Sequence, residues 1–161
     1  MTLYHRSQLL YAEGDVILGG NWGRVILGLG PAHGRFYPEY VLESMRRREF
    51  ARKPSRMASA FAFDDVERAE SWARVIVQGV KEHIYAVEPA TGAAIHRGNL
   101  GWIDAMATYR TFEGVESCAL SYWRGDDREG SAWECIVGGS LRVVQRLTPI
   151  PEDPPPRAGG G

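Results

Sequence analysis

Val66, Ala69, Ala73, Ile76 and Val80 recur at spacings of three and four, with Trp72 on the flank. That period describes a helix with one apolar face. It lies in the middle of a chain whose two ends alternate instead. Strand signals open the sequence at TLYHRSQL (2–9) and DVIL (15–18). They return at HIYAVEPA (83–90), ESCALSYWRG (116–125), SAWECIVGG (131–139) and SLRVVQRLT (140–148). Strands at both ends with helices between them make an α+β order. The βαβ repeat of a doubly wound sheet is missing, and no G-x-G-x-x-G follows a strand, which argues against a Rossmann nucleotide site.

The remaining segments fit around this frame. GGNWGRVILGLGPAHG (19–34) is rich in glycine and reads as an open loop. Pro38 marks the first turn of a helix over 37–53, and Pro54 ends it. Asp64, with Glu67 three residues on, reads as an acidic capping box for the helix within 59–80. NLGWIDAMATY (99–109) reads as a short helix capped by Asn99. PIPEDPPPRAGGG (149–161) has the composition of a disordered tail, which leaves 1–148 as one domain.

Composition narrows the function classes. A chain of 161 residues with 44% hydrophobic content has enough apolar material for one core. A net charge of −1 gives no global attraction to nucleic acid or to an acidic membrane. The local run Arg46, Arg47, Arg48, Arg52, Lys53 and Arg56 is either a solvated helix face or a contact for a nucleic acid or other acidic partner. No apolar run reaches the roughly 20 residues of a membrane-spanning helix, and the zones of a secretion signal are missing. Cys118 and Cys135 form no Cys-x-x-Cys pair, and no histidines stand at metal-ligand spacing. The expectation is a cytoplasmic, reduced chain with no metal and no membrane partner.

Three places carry side chains suited to chemistry. On strand alternation Leu3, His5, Ser7 and Leu9 share one face, with Tyr4, Arg6, Gln8 and Leu10 on the other. His5 is then either a hydrogen-bonded core histidine or a residue that faces a ligand. Phe61 and Phe63 share one face of a strand that runs into Asp64, as core aromatics or as a stacking surface. Glu134 lies with Ala132 and Ile136, opposite Trp133, Cys135 and Val137. A half-buried carboxylate there needs a partner or a task.

Taken in order, Tyr4-His5, Gly14-Asp15, Asn21-Trp22-Gly23, Phe61 eight residues before Ala69, IYAVEP and ECIVGGSLRVV resemble the ADP-ribosyltransferase superfamily. The likeness is to its branch with a His-Tyr-Glu triad, and within it to rifampin ADP-ribosyltransferases and a set of small bacterial relatives. It runs from residue 3 to residue 147. The resemblance implies split antiparallel β-sheets and NAD as the substrate, with no metal. ADP-ribose would pass to a protein, nucleic acid or small-molecule acceptor, in a toxin, effector or defence setting.

By the same resemblance, His5 hydrogen-bonds a ribose hydroxyl of NAD and Phe61 stacks on the nicotinamide ring. Tyr4, Arg6, Ser7 and Phe63 lie beside the dinucleotide. Glu134 holds the nicotinamide ribose and favours its oxocarbenium-like transition state, since a fixed carboxylate stabilises positive charge as it forms. Asp104 is the alternative carboxylate, because rifampin-type enzymes place theirs nearer the segment after IYAVEP. Two positions depart from the pattern: Arg6 stands where glycine is usual, and Phe61 where tyrosine is usual. A non-catalytic NAD or ADP-ribose-binding module and an RNA 2′-phosphotransferase are the alternatives within this fold.

Overall fold

The computed structural model describes residues 1–76, 82–129 and 132–148. Among them seven strands form two antiparallel sheets. The first holds β1 (Leu3–Ser7), β4 (His83–Pro89), β7 (Ser140–Arg146) and β2 (Val16–Leu18), in that spatial order. The second holds β3 (Ala60–Ala62), β6 (Trp133–Val137) and β5 (Ile95–Asn99). Helices α1 (Asn21–Leu29), α2 (Phe36–Glu49), α3 (Val66–Ile76), α4 (Leu100–Ala105) and α5 (Phe112–Arg124) complete an α+β fold.

Two cores lie on either side of β6. Leu3, Tyr85, Val87, Leu141 and Val143 of the first sheet meet Ala60, Ala62, Cys135 and Val137 of the second. On the other face of the second sheet, Ile136 packs with Leu42, Ile103, Ala119, Tyr122 and Trp123 from α2, α4 and α5. Alternation along β6 therefore sends Cys135 and Val137 to one core and Ile136 to the other, as the sequence pattern requires. Glu134 shares the parity of Ile136 and faces the helices.

The sheets are stitched together at one point. Tyr4 and Phe63 exchange both backbone hydrogen bonds at 2.8 Å. This bridge brings β1 from the first sheet to the end of β3 in the second, and so sets His5 beside Phe61.

Three sequence expectations are corrected, and one strand lies where the sequence signals none. The glycine-rich stretch 19–34 is not an open loop, because Asn21–Leu29 is helical and a 3-10 turn follows at Gly30–Ala32. Two of its glycines serve close packing: a Cβ on Gly19 would stand 2.5 Å from the Ala58 carbonyl oxygen, and one on Gly23 2.8 Å from the Met57 carbonyl carbon. The segment ESCALSYWRG is not a strand but most of α5, with Cys118, Ala119, Tyr122 and Trp123 buried on one helical face. Thr111 caps its start by accepting from the Gly114 amide at 3.2 Å, and Gly125, at φ +78°, ends it. The cap of α3 is Asp65, whose Oδ1 accepts from the Glu67 amide at 2.7 Å. Asp64 instead pairs with Arg68 and Arg97. Finally, β5 is a strand that no alternating apolar pattern announces.

In α3, Ala69 is fully buried with Phe63 and Ile84, while Val66 packs beside them. Val80 and the tail 149–161 lie outside the described residues, as do the side chains of Trp72, Ala73 and Ile76. No described helix is long and apolar enough to cross a membrane. No group of three His, Cys, Asp or Glu residues among the described ones is placed to hold a metal ion. Cys118 and Cys135 are buried free thiols, and burial pushes Cys135 up to about 11.

His96 on β5 gives the fold a pH dependence. It is buried, stacks on Trp123 with ring centroids 5.1 Å apart, and its Nε2 donates to the Tyr122 carbonyl at 3.1 Å. Burial, and then the Lys53 ammonium beside its Nδ1, lower its pKa to about 4. The unfolded chain takes up that proton near pH 6.5, so between about 6.5 and 4 the unfolded state binds more protons. Stability is expected to fall as pH drops through that window. The check is the urea midpoint of wild type against His96→Gln at pH 7, 5.5 and 4.5. The wild-type midpoint should drop by more than that of the variant, and parallel slopes would contradict the assignment.

Candidate functional site

A cavity of about 360 Å³ opens where the two sheets part, lined among others by His5, Arg6, Trp22, Phe61, Phe63 and Glu134. It shares His5, Arg6, Trp22, Phe61 and Glu82 with a second cavity of about 740 Å³, so the two form one cleft. His5, Phe61 and Glu134, singled out from β1, β3 and β6, thus reach a common space.

Each is held by identifiable contacts. His5 Nδ1 lies 2.7 Å from the Phe61 carbonyl oxygen. A carbonyl only accepts, so Nδ1 carries the hydrogen and Nε2 keeps its lone pair. Burial, and then the neighbouring Arg6 charge, outweigh that hydrogen bond and lower the His5 pKa, so the ring is neutral at pH 7. Nε2 makes no hydrogen bond among the described residues. The hydrogen-bonded reading of His5 is met by Nδ1, and the residue also lines the cavity.

Glu134 has the partners its burial demands. Its Oε1 accepts from Arg56 Nη1 and, at 2.8 Å, from the Tyr122 hydroxyl. Its Oε2 takes no hydrogen bond among the described residues, and Glu134 lines the cavity. Arg56 also binds Glu39 through Nε at 2.8 and 3.1 Å and through Nη2 at 2.9 Å. Burial opposes the Arg56 charge, but Glu39 and Tyr122 outweigh it and raise its pKa. Burial raises the Tyr122 hydroxyl to about 12, which keeps it a donor. Two carboxylates around one guanidinium leave the cluster with a formal charge of −1 at the cavity floor.

The surrounding chain is built to admit this cluster. Gly98 on β5 pairs directly with Glu134 on β6. A Cβ on Gly98 would stand 2.5 Å from Cζ of Tyr122, so only glycine leaves room for that ring to pass beneath the strand. Gly98→Ala is expected to displace Tyr122, loosen Glu134 and cost about 1–3 kcal/mol, as overpacking does. A thermal melt checks it, and an unchanged midpoint would show that the ring has slack.

The other expected site residues are distributed unevenly. Asp104, the alternative carboxylate, is exposed and pairs with Arg35 at 2.6 Å. Arg35 lines the smaller cavity, but Asp104 does not reach the buried cluster. Ser7 lines the larger cavity and accepts from the Leu9 amide at 3.0 Å. Tyr4 packs against Phe63 and lines neither cavity. Phe61 and Phe63 do not form one stacking face, since β3 ends at Ala62 and Phe63 turns into the cluster with Ala69. Arg56 stands over the Phe61 ring at 5.0 Å from its centroid. Arg6 is ion-paired with Glu82 rather than free.

Arg56 also corrects the reading of the basic run as one surface. At 5% exposure it belongs to the interior. Arg46 and Arg47 pair with Glu43, and Arg48 pairs with Glu116. Glu39 and Tyr122 were missed altogether. Tyr122 was legible from the i, i+1, i+4, i+5 spacing of Cys118, Ala119, Tyr122 and Trp123. Glu39, directly after Pro38 in a first helical turn, carried no signal beyond favourable interaction with the helix dipole.

The fold and cleft define an α+β protein with two antiparallel sheets parted over a buried carboxylate–arginine cluster. Residues 25–149 match the family described as a protein of unknown function, DUF2441, and the chain belongs to that family. The matched stretch includes Phe61 and Glu134, while His5 and Trp22 precede it. No curated protein matches the chain.

Proposed function

We propose that this protein is an NAD-dependent ADP-ribosyltransferase, and one observation carries the reading. His5, Phe61 and Glu134 line one cavity, and neither His5 Nε2 nor Glu134 Oε2 takes a hydrogen bond among the described residues. Acceptors so placed suit the hydroxyls of a ribose. Breaking the bond between nicotinamide and that ribose builds positive charge on the sugar. A carboxylate already anchored by Tyr122 and Arg56 meets that charge without reorganising. The net charge of −1 on the cluster favours a cationic nicotinamide ring in the same place. Arg6, in the position usual for glycine, is turned to Glu82 and leaves the ribose side to His5.

The test is to incubate purified protein with NAD, follow nicotinamide release by chromatography and record the melting temperature with and without NAD. The expected result is release above the uncatalysed rate and a raised melting temperature. Neither effect would remove the reading. Asp104→Asn, remote from the buried cluster, is expected to keep release within about twofold, since surface substitutions change little.

A second reading has an observation of its own. Arg56 offsets part of the Glu134 charge and covers the Phe61 ring, as a binding module without turnover would tolerate. A raised melting temperature with no nicotinamide release, in the presence of lysate as a source of acceptors, would favour that module.

A further inference from the structure

A groove of about 450 Å³ runs between α1 and α2, and of its lining residues only Glu39 also lines the cleft. Helix α2 gives it a single stripe: Phe36, Tyr40, Ser44 and then Arg47 and Arg48 recur at helical spacing on one face. The stripe changes character along the helix, aromatic at Phe36 and Tyr40 and basic at Arg47 and Arg48. At the helical rise, the span from Phe36 to Arg47 covers about 16 Å. Ile26 and Leu27 of α1 and Met57 supply the other walls. Gly23 holds α1 against Met57, since a Cβ there would stand 2.8 Å from the Met57 carbonyl carbon.

The two ends of the groove ask for different things. At the apolar end Leu27 and Tyr40 are each 69% exposed beside a concave surface. Covering such a surface is favourable, and its volume is of the size that takes a small molecule. At the basic end the groups left unused are donors. Glu39 engages both its oxygens with Arg56, and Glu43 engages both of its own with Arg46, Arg47 and Ser55. Neither carboxylate is left for a cation. Arg47 gives only its Nε to Glu43, and its two terminal nitrogens have no partner among the described residues. Arg46 and Arg47 share the one Glu43 while Arg48 is balanced by Glu116, so this end carries one positive charge in surplus.

We infer that this groove binds an amphiphilic carboxylate of the medium-chain fatty acid class. The chain lies along Leu27, Phe36, Tyr40 and Met57, and the carboxylate accepts from the terminal nitrogens of Arg47. A guanidinium fork matches the two oxygens of a carboxylate. A flat lipid surface would reach the protruding Leu27 and Tyr40 but leave the floor at Met57 unfilled. The inference stands apart from the ADP-ribosyl reading, because it uses none of the residues assigned to NAD.

Isothermal titration with decanoate tests it, on wild type, Arg47→Gln, Leu27→Ser and the double variant. Both side chains are exposed, so the variants are expected to keep the wild-type melting temperature. Decanoate should bind wild type saturably at one site. Arg47→Gln should weaken it about tenfold through the lost charge-assisted hydrogen bonds, and Leu27→Ser by a similar factor through lost apolar contact. Decyltrimethylammonium, with the same chain and the opposite charge, should bind wild type at least tenfold more weakly than decanoate, since Arg47 repels it. No saturable binding of decanoate, equal binding by wild type and the double variant, or equal binding of the two amphiphiles overturns the site. Displacement of decanoate by NAD overturns it too, because the fatty acid would then lie in the cleft. If decanoate fails to bind while the chain sediments as a dimer, or with phosphatidylglycerol vesicles, and Leu27→Ser abolishes that, the face belongs to a second copy or to a membrane instead.

Discussion

Arg56→Met is expected to lower stability by about 3–5 kcal/mol, the cost of stranding buried charge. Among the described residues Arg56 is the one cation bonded to both Glu39 and Glu134, and all three side chains are almost fully buried. Methionine keeps much of the volume and the contact with Phe61 but leaves two carboxylates facing each other across Tyr122. They must then take up protons or draw in water. The sign of the pH dependence follows. Their folded pKa values rise above the unfolded carboxylate values near 4, so the variant's deficit is largest at pH 7 and shrinks as pH falls. Arg56→Lys should fall between, because an ammonium cannot hold Glu39 in a fork and reach Glu134 as well. Urea midpoints at pH 7 and pH 5 decide the matter. A deficit under about 1 kcal/mol at pH 7, within the range of ordinary surface changes, would mean that the cluster does not need its cation.

Glu134→Gln is expected to reduce nicotinamide release by about 100- to 1000-fold while the fold and the NAD-induced rise in melting temperature persist, which is the scale of losing one preorganised electrostatic group. Glutamine keeps an oxygen to accept from Arg56 and Tyr122, so the local network survives. What disappears is the negative charge at the cavity floor, which matters only once the ribose becomes cationic. The loss should therefore appear in the rate of release rather than in NAD affinity. A variant that releases nicotinamide at the wild-type rate would remove Glu134 from the chemistry. One that no longer responds to NAD at all would make it a binding residue.

Several parts of this architecture were legible in the residues. Alternation along Trp133 to Val137 correctly separated Glu134 and Ile136 from Cys135 and Val137, because a strand between two cores sorts its side chains by parity alone. Asn99 marked the start of α4 for an equally local reason: its side chain accepts from the Gly101 amide at 2.9 Å. Other elements were misread where local preference and tertiary packing disagree. Glycine disfavours a helix, yet Gly23 sits in α1 because the helix must lie against Met57. The aromatic and small residues of 116–125 suit a strand, yet their four-residue spacing places them on α5 against Leu42 and Ile136.

By itself the sequence determined the α+β class, the burial parity of β6 and the presence on β1, β3 and β6 of residues suited to one site. Hydrophobic periodicity and capping act over a few residues, so they are written locally. Only the tertiary structure decided that Arg56 leaves the basic run for the interior, that Glu39 and Tyr122 meet it there, and that Asp104 does not. Those contacts join residues 12 to 78 positions apart. A charge chooses between water and a buried partner only after the fold has brought the partner within reach.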